Sequence, residues 1–197
     1  MRALIVHAHP DPTSFSAHLV TTVEEGLGSA GHEHRTLDLY ATRFRAAMDD
    51  TEWALHRQTS DVKPWTDPHS ELLQWADSII WVYPTWWSGP PAILKGWVDR
   101  VWTNGVAYHH TEKGLIRGPL THIRRVFIVT THGSSRWVNL AEGHVGKKMI
   151  GRTLRNLFGW RCRTRWLAMY DIDRSTADQR LRFTAKVRRT IARGGSR

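Results

Sequence analysis

The run Ser78-Ile79-Ile80-Trp81-Val82-Tyr83-Pro84-Thr85-Trp86-Trp87-Ser88-Gly89-Pro90-Pro91-Ala92-Ile93-Leu94-Lys95-Gly96-Trp97 decides how this chain folds. Ser78 to Tyr83 is an apolar stretch too short for a helix and without polar alternation, as expected of a strand buried on both faces. Pro84 to Pro91 is stiffened by prolines, and Pro91 suits the first turn of a helix running to Trp102. Outward from this strand-loop-helix unit the same rhythm recurs. Arg2 to His7 reads as a strand, and Ser14 to Ala30 as a helix with Phe15, Leu19, Val23 and Leu27 at helical spacing, stopped at Gly31. His34 to Leu39 reads as a short strand. Ala41 to Pro68 is irregular, with a turn of helix near Asp50 to Arg57. Pro68 opens a helix through Trp75. Further along come a strand at Arg125 to Thr131, a helix at Gly146 to Phe158 closed by Gly159, a strand at Cys162 to Met169 and a last helix at Thr176 to Ala192.

Strands joined by helical crossovers pair in parallel with right-handed sense. With five strands, and no G-x-G-x-x-G after the first, the expected order is 2-1-3-4-5, the flavodoxin-like, doubly wound α/β sheet, in one domain covering residues 1–197. The ligand crevice of such a sheet lies past the carboxyl ends of the strands where the winding reverses. That directs attention to His7 to Ser16, Tyr83 to Pro91 and Thr130 to Asn139.

Composition bounds the alternatives. A chain of 197 residues with 41% hydrophobic and 23% charged residues supports one well-buried core. No apolar stretch approaches bilayer length, and the opening Met1 to His7 reads as a strand with no cleavage-site pattern. The single cysteine, Cys162, excludes an intrachain disulfide or a multi-cysteine metal site, so a reducing cytoplasm is expected. His7 with His9, and His109 with His110, have no acidic or cysteine partner at ligand spacing, so no metal is expected. Lysine and arginine number 28 against 18 acids, a net charge of +10. Much of the excess decorates the last helix through Arg180, Arg182, Lys186, Arg188, Arg189 and Arg193. That face is either simply solvated or a contact surface for nucleic acid, an anionic membrane or phosphorylated ligands, of which peripheral contact with an anionic membrane is kept and no specific nucleic-acid partner is expected.

Each crevice loop has its own chemistry. Thr13, Ser14 and Ser16 put hydroxyls beside the free N–H groups of a helix start, which suits a phosphate or, equally, plain N-capping; His9 adds a donor. Trp86 and Trp87, held between Pro84 and Pro90-Pro91, make an apolar platform on which a planar ring would stack. Thr130, Thr131 and Gly133 leave a buried strand through hydroxyls and backbone N–H groups able to stabilise negative charge on a reduced ring.

Together, Ala3-Leu4-Ile5-Val6-His7-Ala8-His9, Thr13-Ser14-Phe15-Ser16, Asp38-Leu39-Tyr40, Pro84-Thr85-Trp86-Trp87, Pro91-Ala92-Ile93-Leu94-Lys95-Gly96-Trp97 and Thr130-Thr131 resemble the NAD(P)H:quinone oxidoreductase family of flavodoxin-like flavoproteins. The resemblance implies that His9, Thr13, Phe15 and Ser16 hold the phosphate side of a flavin. It implies that Pro84, Thr85, Trp86 and Trp87 line the ring and ribityl chain, and that Thr130, Thr131 and Gly133 close the pyrimidine edge. Members of the family are usually homodimers, which would turn Tyr108 and His110 toward a partner's flavin. The chain also departs from the pattern: His132 stands where the first of two glycines is usual. The family's catalytic tyrosine and histidine fall on Val138 and His144, leaving His144 and Tyr108 as the catalytic candidates.

The function expected is two-electron transfer from NAD(P)H, through bound FAD or alternatively FMN, to a quinone or similar flat acceptor. The lack of a Ser/His/Asp set or an activated cysteine fits chemistry done by a cofactor. The rival expectations are an electron carrier, or an accessory or regulatory flavoprotein that meets its partners through the basic C-terminal helix.

Overall fold

The computed structural model describes residues 1–56, 67–110 and 116–194. Among the described residues the strands are β1 (Arg2–His7), β2 (Glu33–Asp38), β3 (Ser78–Pro84), β4 (His109–His110), β5 (Ile116–Arg117), β6 (Arg125–Thr131) and β7 (Arg163–Met169). The long ones form one parallel sheet in the order β2-β1-β3-β6-β7, which is the expected winding counted over its five members. The short pair β4 and β5 makes a separate antiparallel hairpin that the periodicity did not foretell.

The helices are α1 (Phe15–Ser29), α2 (Asp50–His56), α3 (Asp67–Trp75), α4 (Ala92–Val101), α5 (Arg136–Ala141), α6 (Val145–Lys148) and α7 (Ala177–Arg193). Alternate residues of each central strand feed the two faces of the sheet. Ala3, Ile5, Ile80, Val82, Phe127 and Val129 pack under α1 and α7, against Leu19, Val23, Phe183 and Val187. Leu4, Val6, Ile79 and Trp81 face the other way, toward Leu94, Trp97 and Val101 of α4. Both faces are therefore apolar, which is why β1 and β3 carry unbroken hydrophobic runs. Trp81 and Trp97 pack on Trp102 inside this second layer, tilted and edge to face, with ring centroids 5.8 and 6.1 Å away, so some of the chain's 11 tryptophans are core.

Local chemistry sets the helix ends. Ser14 caps α1 by accepting from the N–H of Ala17 at 3.2 Å, and Gly31 leaves it at φ +67°. Thr176 and Gln179 form a reciprocal capping box at α7. Much of the basic face of α7 is exposed, although Arg182 pairs with Asp178 at 2.6 Å and Arg188 with Glu25 of α1. No helix among the described residues is long and apolar enough to cross a membrane.

The irregular segment after β2 is moored to α4. Glu52 of α2 meets Arg100 of α4 in a buried bidentate pair at 2.8 and 2.9 Å, and the guanidinium lies 5.0 Å from the Phe44 ring centre. At Gly96 the approach is closer still: a β-carbon there would come within 2.2 Å of the Ala46 carbonyl oxygen. The expected helical turn near Asp50 is thus real to His56, and Arg57 lies outside the described residues.

One expected element is broken up. In place of a helix from Gly146 to Phe158, α6 gives way to a wide turn at Met149–Thr153 and a tight one at Leu154–Leu157. Ile150, Leu154 and Phe158 are all buried, and varying the winding keeps them facing the core. Gly146 and Gly151 reduce the cost of leaving α geometry. The segment α5, capped by Ser135, was also not anticipated.

Removing one member of a buried ion pair strands the other charge. Glu52→Ala is expected to lower stability by about 3 kcal/mol in urea unfolding. A loss below about 1 kcal/mol would show that water reaches the Arg100 guanidinium and that the pair is not the mooring.

Candidate functional site

The winding of the sheet reverses between β1 and β3, and the loops leaving β1, β3 and β6 meet there. The Ala8 N–H donates to the Val82 carbonyl at 3.1 Å, and the Thr85 N–H to the Thr131 carbonyl at 2.7 Å, so the ladder extends beyond the strands. Trp86 and Gly89 then exchange backbone bonds of 3.0 and 3.1 Å, closing a two-residue loop at Trp87-Ser88. Both residues have positive φ, +48° and +60°, the signature of a primed turn normally given to Asn or Gly. A tryptophan in this conformation stores strain, and such strain concentrates where a ligand is gripped. Trp87 is fully exposed and Trp86 nearly half so, with the Trp86 ring 6.4 Å from that of His9.

Opposite this turn, Thr130 at the end of β6 puts its hydroxyl 3.0 Å from that of Thr85. The next residue but one, His132, places Nε2 3.4 Å from the same Thr85 hydroxyl and stacks on Tyr170, centroids 4.6 Å apart. Burial drives the imidazole down to about 4, outweighing the Asn139 side chain that favours its charged form, so it is neutral near pH 7. The loops enclose a cavity of about 390 Å³ lined by Thr85, Trp87, Ser88, His132, Gly133 and Glu142, among others. Glu142 accepts a bond from the Ser88 hydroxyl and ties the turn to α5. Gly133 is pressed close enough to Asp173 that a β-carbon would lie 2.9 Å from its carboxylate.

The first loop differs from the expectation in one respect. The hydroxyl and N–H of Thr13 both bind the Asp11 carboxylate, each at 2.7 Å, and these two bonds, the hydroxyl's first, hold Asp11 below the usual carboxylate range. A phosphate here would therefore meet Ser16 and the first-turn N–H groups of α1 more readily than the Thr13 hydroxyl. The Ser14 hydroxyl is taken by its cap, so the choice left open between capping and phosphate falls to capping at that residue. His9 Nδ1 lies 3.0 Å from the Asp11 backbone nitrogen and 3.2 Å from its carbonyl oxygen, which turns Nε2 away from this loop's own contacts. Phe15 is partly buried and packs on the α1 side of the sheet.

The two catalytic candidates stand apart from this cavity. His144, at φ +48°, caps α6 and lines a neighbouring cavity of about 480 Å³. Tyr108 lies on the loop after α4, partly buried against the core. The side chain of His110 lies outside the described residues. Val138 is exposed on α5. Tyr170 and Glu142 were missed by sequence reasoning; Tyr170 directly follows β7, so extending the strand-end rule to that strand would have found it. Among the described residues no group of three or more histidines, cysteines or acids is arranged to hold a metal.

A family model described as a flavodoxin-like fold matches residues 1–192. The chain is 33% identical over 165 residues to NAD(P)H dehydrogenase (quinone) 1 of Cavia porcellus, a match covering 76% of this chain and 60% of that protein. It thus spans about three fifths of the length of the curated relatives it matches first. Among solved structures, Smu.1420 from Streptococcus mutans UA159 superposes with a TM-score of 0.87 at 32% identity, covering 98% of this chain and 99% of that one. An FMN-dependent NADH-azoreductase from Bacillus anthracis, solved in complex with FMN, shares the fold at 18% identity and a TM-score of 0.77, covering 99% of each chain.

Two measurements probe this geometry. The His132 ring, followed by NMR, is expected to stay neutral down to about pH 4. Because a folded-state value below the unfolded one favours the neutral native form, stability is full above about pH 6.5 and falls as pH drops toward 4. His132→Gln should flatten that slope, and an unchanged slope would refute the assignment. Separately, Trp87→Gly is expected to raise stability by about 1 kcal/mol by relieving the left-handed strain. A destabilised variant would mean that the indole packs in solution.

Proposed function

The chain belongs to the flavodoxin-like fold family, and on that footing we propose that it is a flavin-dependent NAD(P)H oxidoreductase acting on a quinone or a similar flat acceptor. The observation that carries this reading is the cavity beside the winding reversal, walled by Thr85 and the strained Trp87-Ser88 turn after β3 on one side and by His132 and Gly133 after β6 on the other.

The residues present fit an isoalloxazine ring. Its pyrimidine edge needs donors and acceptors in a confined space, and Thr85 and His132, which line the cavity, supply them, the Thr85 hydroxyl being held by that of Thr130. The N–H groups of Trp87 and Ser88 take no part in closing their own turn and remain as donors at the rim. Trp86 and Trp87 give an apolar wall, Pro84 fixes the strand exit, and the buried Thr131 holds the Thr85 backbone in place through its carbonyl. Gly133 keeps the opposite loop thin. His9, Phe15, Ser16 and the start of α1 stand at the phosphate side, with Thr13 acting through Asp11.

When bound, the flavin supplies the redox chemistry, accepting hydride from NAD(P)H and passing two electrons on. The protein's part is to bind, orient and exclude water. His132 contributes a neutral hydrogen-bonding group, because its burial disfavours an imidazolium. With Val138 where the family's tyrosine stands, we assign no side-chain proton relay involving it; His144 and Tyr108 remain proposals for substrate contact. FAD is the flavin proposed first, with FMN the alternative. We further propose a homodimer: Trp87, Trp137, Val138 and Leu140, exposed around this cavity, would then be covered by a second copy.

Purified protein is expected to be yellow and, on denaturation, to release a flavin whose mass separates FAD from FMN. Thr130→Val, which removes only the hydroxyl, should weaken flavin binding about tenfold. A colourless protein that takes up neither flavin and oxidises neither nicotinamide would overturn the proposal.

A further inference from the structure

Cations are compensated differently in the cavities beyond the proposed flavin pocket. In the one beside Phe44 and His69, Arg45 is paired with Asp49 at 3.0 Å and Arg100 with Glu52 at 2.7 Å, and Arg43 alone of its arginines forms no ion pair among the described residues; this cavity does not adjoin the flavin pocket's lining. Another holds Arg125 and Arg163, which begin β6 and β7, and so lies at the opposite end of the sheet from the site. The third, about 480 Å³, is lined by His144, Lys147, Lys148, Arg152, Thr164 and Trp166, among others. Among the described residues no carboxylate forms an ion pair with Lys147, Lys148 or Arg152.

This third cavity also gathers three buried polar atoms with no partner: His144 Nδ1, Thr164 Oγ1 and Trp166 Nε1. Buried polar groups are normally satisfied, and each exception asks for a missing partner. An indole N–H can only donate, so the group missing beside Trp166 is an acceptor. The uncompensated cations make that acceptor an anion, and the indole face admits an organic group beside it. The cavity adjoins the proposed flavin pocket. The Gly146 N–H donates to the Ser88 carbonyl at 3.1 Å, and Ser88 is half of the strained turn.

We propose that this cavity is an anion subsite that takes the 2′-phosphate of NADPH, so that the protein uses NADPH in preference to NADH. The proposal rests on the oxidoreductase reading above. A nucleotide standing over the flavin pocket has this as the adjoining cavity with unpaired cations. At the 2′ position NADPH carries a phosphomonoester dianion, whereas NADH carries a neutral hydroxyl that cannot use them. Lys148 and Arg152 supply charge, and Thr164, Trp166 and His144 supply the buried hydrogen bonds.

Calorimetric titration of the purified protein with 2′,5′-ADP and with 5′-AMP isolates the 2′-phosphate. The first is expected to bind about tenfold or more tightly than the second. Lys148→Ala with Arg152→Ala, both exposed and tolerant of change, should erase that difference and raise KM for NADPH about tenfold more than KM for NADH. Thr164→Val, which exchanges the hydroxyl for a methyl group of similar size, should weaken 2′,5′-ADP alone. Equal binding of the two nucleotides, or equal KM changes for the two coenzymes, would overturn the subsite. So would inorganic phosphate competing as well as 2′,5′-ADP, because the cavity would then hold a free ion. A protein without flavin would remove the oxidoreductase reading while leaving the 2′,5′-ADP titration measurable; a flavoprotein indifferent to the 2′-phosphate would remove the subsite alone.

Discussion

The bond on which the rest depends is the one from the Thr85 N–H to the Thr131 carbonyl, at 2.7 Å. It adds a rung to the β3–β6 ladder one residue past the end of β3, at the last residue of β6, and so fixes where two loops begin to diverge. Without it the hydroxyls of Thr85 and Thr130 would not meet, and the cavity between the loops would have no floor. That rung is reliable because β3 is buried on both faces and paired along its length to β1 and β6, leaving it no freedom to slide. Rigidity made in the core is thereby handed to a loop, where chemistry needs it.

Much of this was legible in the residues. The five strands of the main sheet and their order follow from short apolar runs alternating with helical spacing, since a parallel sheet with covered faces leaves that mark. Ser14 and Gly31 announce the ends of α1 by mechanism. What could not be read is what tertiary contact decides. Nothing local says that Gly146 to Phe158 changes winding twice; Ile150, Leu154 and Phe158 repeat at helical spacing, and only the shape of the core they meet dictates the departure. The hairpin of β4 and β5 is too short to carry a periodicity.

At the site the sequence supplied residue types, and the structure decided their partners. Thr13 carries the expected hydroxyl, but Asp11, two residues earlier, claims it. Trp86 and Trp87 read as a flat platform. In the fold Trp87 and Ser88 form a turn in left-handed backbone with Trp86 at its base, a conformation that no count of aromatic residues foreshadows. His132 was noticed as an oddity of sequence, and its meaning came from burial, which keeps it uncharged, and from stacking on Tyr170.

The near-contact of Gly96 with the Ala46 carbonyl has a consequence for how this molecule can change over generations. With no room for even a methyl group, α4 and the segment that crosses it are locked as neighbours, and neither can drift alone. Variation tolerated on that crossing must keep its backbone path while altering side chains that point away. Substitution is thereby steered to the outward-facing positions of the segment, whose course over the helix Gly96 holds in place.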